Sequence, residues 1–216
     1  MDQMVLVGHS MGGIVAQLQC TCSYDILWRQ AAKRSLETVR TTPAMRERLR
    51  RVFFFDPSPL VKRVVFIGTP HRGSTRSRRL IGRVASSLVH LSGPEEVQYR
   101  QLMDNNRDIF AEYLWDSWPT SIDLLEPSNP LLQALACMPF NRCVRRHTII
   151  ATGGMAISGE PGDGVVSVSS ARQAGVCSEL LVPVRHEELH RNATTVNELL
   201  RILREHDRES SSTRAS

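Results

Sequence analysis

The chain has 216 residues, 41% of them hydrophobic, enough for a domain with a real core. Lys plus Arg exceed Asp plus Glu by 27 to 22, a mild excess with no helix-turn-helix, zinc-finger or aromatic-basic signature, which argues against nucleic acid as a partner. No apolar stretch approaches the ~20 residues of a membrane span, and no basic, apolar leader opens the chain, so the default expectation is a cytoplasmic location.

The first predicted element is a strand over Gln3–Val7, which runs straight into Gly8-His9-Ser10-Met11-Gly12 and a helix over Met11–Cys22. A second strand, Val61–Ile67, ends at Gly68 in "VVFIGTPHRGS". Residues 72–145 exceed what a crossover needs and are expected to form an insertion or lid over one end of the sheet. This stretch holds a helix around Glu95–Tyr113, the aromatics Tyr113, Trp115 and Trp118, and a helix over Pro130–Ala136 with Pro in its first turn after Asn129. Strands follow at His147–Ala151 and Glu179–Val184, then a helix over Asn192–Glu205 with an apolar stripe at Val196, Leu199, Leu200 and Leu203. Residues 206–216 are polar and read as a disordered tail after a domain over 1–205. The strands are near-continuously apolar, which suits parallel strands covered on both faces. Strands alternating with helices predict an α/β fold with a mostly parallel sheet of about four strands.

Gly8-x-Ser10-x-Gly12 matches a nucleophile elbow, with a strand before it and a helix after it. Glycines two before and two after the serine remove side chains that would collide in so tight a turn, and a third, Gly13, follows. Ser10 then stands at the strand end beside a helix N-terminus, where the Met11 N–H can hold an oxyanion. A serine needs a histidine base oriented by a carboxylate. Asp163 lies between two glycines in "GEPGDGVVSVSSA" after the third strand, and His186 follows the fourth in "VPVRHEELHRN". His190 is a rival base and Asp123, within the insertion, a weaker rival acid. His9 and His71 are candidates to contact substrate; the alternatives are packing beside the site for His9 and shaping of its loop for His71. Arg72, Arg76, Arg78, Arg79 and Arg83 form a solvated face or one that attracts an anionic lipid or substrate.

The five cysteines form no CxxC, so no zinc site is expected. Cys137 and Cys143 flank a Pro-containing loop and could pair in an exported protein; otherwise the thiols are free and buried.

Taken together, "VLVGHSMGG", "VVFIGTPHRGS", "GDGVVSVSSA" and "LLVPVRHEELHRN" resemble a lipase/esterase-like serine α/β-hydrolase, over nearly the whole chain. The resemblance implies a partial α/β-hydrolase fold and acyl-ester hydrolysis through an acyl-serine intermediate. Ser10 is then the nucleophile, Asp163 the acid and His186 the base. The substrate is a small-molecule or lipid acyl ester, with a membrane surface as a possible location, and no metal or organic cofactor is needed. An acyltransferase or thioesterase would use the same triad, and a catalytically impaired binding remnant is the competing class. Members of the family have strands before the elbow, one of them leading to a second oxyanion donor. The expectation is therefore a fragment whose elbow strand lies at a sheet edge and invites association.

Overall fold

The computed structural model describes residues 3–74, 93–115, 125–156 and 158–215. Arg76, Arg78, Arg79, Arg83, Trp118 and Asp123 lie outside the described residues. The chain divides into two compact units, one of Met1–Thr21, Pro57–Arg76 and Phe140–Ser216, the other of Cys22–Asp56 and Ser77–Pro139.

The first unit is built on a parallel sheet in the order β1-β2-β3-β6, from strands β1 (Met4–His9), β2 (Val61–Ile67), β3 (Arg145–Ala151) and β6 (Ser178–Val182). A two-stranded ribbon, β4 (Gly154–Met155) with β5 (Pro161–Gly162), precedes the Asp163 loop. In β2 only Lys62 is not fully buried, because the strand is covered on both faces. Its side chains alternate. Val64 and Phe66 pack with Ala16 of α1 (Met11–Leu18), with Cys20 and with Val144. Val65 and Ile67 pack with Ile149, Val182, Leu189 and Ile202 on the other face. Each such side chain contributes about 1.5–3 kcal/mol on leaving water, so both layers are fastened to the sheet that carries the site. β1 lies at one edge, paired on one side with β2 from Met4 opposite Val61 to His9 opposite Ile67. Met4 and Val7 are exposed on it.

Helix α6 (Val168–Ala171) follows the Asp163 loop, and α7 (His186–Leu189) follows β6. The last helix, α8, spans Ala193–Ala215, which corrects the expected disordered tail. The polar composition that suggested disorder turns out to have partners far away in sequence. Glu205 and Glu209 pair with the fully buried Arg63 guanidinium at 3.1 and 2.8 Å, Glu209 also meets Arg145 at 2.7 Å, and the buried Ser210 hydrogen-bonds Gln3.

The second unit has its own core. Trp28, Ala31, Leu36 and Val39 pack with Tyr99, Leu102, Met103, Ile109 and Phe110. These come from α2 (Ile26–Ala31), the turn at Leu36–Thr38 and the segment around α4 (Gly93–Asn105), while α3 (Pro43–Phe53) is capped by Thr42 and α5 (Pro130–Cys137) by Asn129. The helix expected to Tyr113 stops at Asn105. Asn106 is completely buried; it accepts the Arg40 N–H at 2.6 Å and donates to the Arg40 and Leu102 carbonyls at 3.0 and 2.8 Å. All five cysteines are free, and only Cys20 is fully buried; burial pushes its thiol up to about 12.

Candidate active site

The elbow forms where β1 passes into α1. Ser10 has φ 54 and ψ −127, a conformation uncommon for a residue with a side chain, and it caps the helix without a side-chain bond, so its hydroxyl is left for other work. The turn is held by the Ser10 N–H on the Ile67 carbonyl at 2.8 Å and the Gly13 N–H on the Ser10 carbonyl at 3.0 Å. The N–H of Met11 is the first of α1, where helix geometry supplies no acceptor within the helix. The glycine pattern differs from the expectation. A side chain at Gly8 would come within 2.5 Å of Gly13, and one at Gly13 within 1.9 Å of the Thr69 hydroxyl, but one at Gly12 would meet nothing within 4 Å. The steric demand thus falls on Gly8 and Gly13, because helix α1 must start against the loop after β2.

Three strand-end loops bring Ser10, Asp163 and His186 together. His186 Nε2 lies 2.9 Å from Ser10 Oγ, and His186 Nδ1 lies 2.7 Å from Asp163 Oδ2. Asp163 is buried, and its other oxygen, Oδ1, accepts the N–H groups of Val165 and Val166 at 2.8 and 2.7 Å. The Asp163 carbonyl also accepts the His186 N–H at 3.2 Å. Leu189, fully buried, anchors α7, so His186 at its start is fixed from both ends. Gly68, at φ 56, leaves room for this ring: a side chain there would approach His186 Cε1 to 3.4 Å and Leu189 to 3.1 Å. Only its place at the end of "VVFIG" hinted at that role.

The rival base His190 meets His9 instead of Ser10, with ring centroids 4.8 Å apart. His9 also lies against His186 at 5.1 Å; the residue is half-buried and its Nε2 is buried. Burial, with His186 and His190 beside it, lowers its pKa. His71 is not brought to Ser10 either. It is buried, its ring stands edge-on to Phe66, and its Nδ1 is shared by Gln17 and Gln173 at 2.8 and 2.9 Å; burial lowers its pKa to about 3. Its loop does carry structural work that sequence reasoning missed. Ser74 donates to the Val165 carbonyl at 2.5 Å, the Arg72 N–H to Ser170 Oγ at 3.2 Å, and Ser170 Oγ to the Gly73 carbonyl at 2.6 Å. "TPHRGS" is thereby stitched to the segment that presents Asp163. Among the described residues no group of three or more His, Cys, Asp or Glu is arranged to hold a metal ion, and no helix is long and apolar enough to cross a membrane.

Among solved structures, the chain is similar to the lipase of Staphylococcus hyicus, with a TM-score of 0.51 at 13% identity, over 99% of this chain and 72% of that one. The chain has a lipase-like α/β fold. It is also similar to the mature Bacillus licheniformis lipase BlEst2 (TM-score 0.45, 16% identity, 93% of this chain and 65% of that one) and to EstA from Clostridium botulinum (TM-score 0.45, 14% identity, 88% and 60%). The chain thus spans less than two thirds of the length of either of these two proteins. No protein-family model matches the sequence, and no curated protein matches it.

Proposed function

We propose that this chain is a serine carboxylic-ester hydrolase of the esterase or lipase type, acting on a small-molecule or lipid acyl ester. The observation that carries the reading is the 2.9 Å approach of His186 Nε2 to Ser10 Oγ, with Asp163 at 2.7 Å on the other ring nitrogen. Asp163 accepts the Nδ1 proton, which leaves the Nε2 lone pair facing the hydroxyl. Ser10 Oγ attacks the acyl carbonyl as its proton passes to Nε2, and the buried Asp163 carboxylate stabilises the imidazolium that forms. The Met11 N–H donates to the developing oxyanion. On collapse, His186 gives its proton to the leaving alkoxide, and the acyl group stays on Ser10. Water, deprotonated by His186, then releases the acid and restores the hydroxyl.

The test is hydrolysis of p-nitrophenyl esters by the chain and by Ser10→Ala. The reading expects turnover by the chain and only background hydrolysis by the variant. Equal rates would overturn it.

A further inference from the structure

His9 is the residue next to Ser10, and its imidazole is committed to His186. The two rings lie 5.1 Å apart, tilted by 33°, and on its other side His9 meets the His190 ring at 4.8 Å and 48°. Nε2 of His9 is buried without a hydrogen-bond partner among the described residues, so that nitrogen is not presented to a substrate. His9 also belongs to a rigid element, since it ends β1 opposite Ile67, and the next N–H, that of Ser10, bonds the Ile67 carbonyl at 2.8 Å.

The base has a degree of freedom that its two hydrogen bonds do not remove. Asp163 and Ser10 hold Nδ1 and Nε2 at 2.7 and 2.9 Å. Tilting about the line between the two nitrogens disturbs neither distance much, but it turns the Nε2 lone pair away from Oγ. A flat, neutral group against the ring blocks that tilt. His9 supplies such a ring contact at 5.1 Å, whereas Gly68, near Cε1, has no side chain to do so. Burial and the neighbouring His186 and His190 disfavour the protonated form of His9, so it does not set a cation beside the imidazolium that His186 becomes.

We infer that His9 is a positioning residue for the base: it ties the His186 imidazole to the turn that carries Ser10 and holds Nε2 on the hydroxyl. The inference rests on reading Ser10, His186 and Asp163 as a catalytic triad. The test is the rate of fluorophosphonate labelling at saturating probe, with the final stoichiometry and the labelled residue read by mass spectrometry, for the chain, Ser10→Ala, His9→Ala and His9→Phe. The expected result for His9→Ala is a limiting rate lower by about tenfold to a hundredfold, with an unchanged half-saturating concentration and the same final labelling per chain. His9→Phe, which restores a flat ring, recovers most of the rate. Three outcomes overturn the inference: wild-type rates in His9→Ala, a loss of labelled fraction instead of rate in both His9 variants (the mark of a purely structural role), or a His9→Phe no faster than His9→Ala. Should the unsubstituted chain fail to label at Ser10, the triad reading falls and takes this inference with it, a result distinct from labelling that is indifferent to His9.

Discussion

Asp163 holds His186 by two routes: its Oδ2 lies 2.7 Å from the ring Nδ1, and its carbonyl accepts the His186 N–H at 3.2 Å. The two N–H groups of Val165 and Val166 occupy Oδ1 and fix which way the carboxylate faces. In Asp163→Asn these donors keep the amide oxygen on their side, so the NH₂ group turns to His186. The imidazole must then accept at Nδ1 and carry its proton on Nε2, the wrong tautomer for a base. We expect kcat to fall by about 10³–10⁴-fold with KM little changed, measured by ester hydrolysis at neutral pH. A loss of less than tenfold would mean that Asp163 does not orient the base.

The elbow glycines separate in a thermal melt. Gly13→Ala places a methyl 1.9 Å from the Thr69 hydroxyl, and overpacking of this kind costs about 1–3 kcal/mol. Gly12→Ala enters open space in the first turn of α1, and a helical alanine is favoured over glycine by up to about 1 kcal/mol. Gly13→Ala should therefore lower Tm, and Gly12→Ala should leave it unchanged or raise it.

Two buried histidines make the first unit sensitive to acid. Burial, with Arg63 beside it, lowers the pKa of His147 to about 4, and burial lowers that of His71 to about 3. Both rings are neutral in the folded chain and protonate near 6.5 once unfolded, so the unfolded state binds more protons below pH 6.5. Their contribution is complete above pH 6.5 and is lost as pH falls towards about 4 for His147 and about 3 for His71. By pH 5 each histidine accounts for about 2 kcal/mol of lost stability. Urea unfolding at pH 7.5 and pH 5 should show that loss, and His147→Gln should reduce the difference between the two.

The fully buried Arg63 fastens α8 through Glu205 and Glu209. Removing both carboxylates with Glu205→Gln and Glu209→Gln leaves a buried guanidinium without a counter-charge, which costs about 3–5 kcal/mol. Arg63→Met should be milder, because the two glutamates are partly exposed and water can solvate them once unpaired. Urea midpoints for the two variants give the comparison; the reverse order would contradict this account of the helix anchor.

What the sequence made legible was local. The strand-turn-helix around Ser10, the four strands of the sheet and the loops bearing Asp163 and His186 each announce themselves within about ten residues, through apolar runs broken by glycine. What stayed hidden depends on partners distant in the chain. Nothing near Glu209 shows that its carboxylate meets Arg63, so a polar tail read as disorder. Trp28 and Val39 gave no sign that they share a core with Leu102 and Phe110. The choice of Gly13 over Gly12 as the crowded position needed the Thr69 hydroxyl in place, and the withdrawal of His71 from the site needed Gln17 and Gln173 around its ring.

The central claim is that Ser10 carries the acyl group. Its most direct measurement is rapid-quench mixing of the chain with an excess of an activated p-nitrophenyl ester, followed by mass analysis of the peptide containing Ser10. The account predicts a burst of one p-nitrophenol per chain, with the acyl mass on Ser10 and absent from Ser10→Ala. Ester hydrolysis that persists in Ser10→Ala, or an acyl group found on another residue, would contradict it.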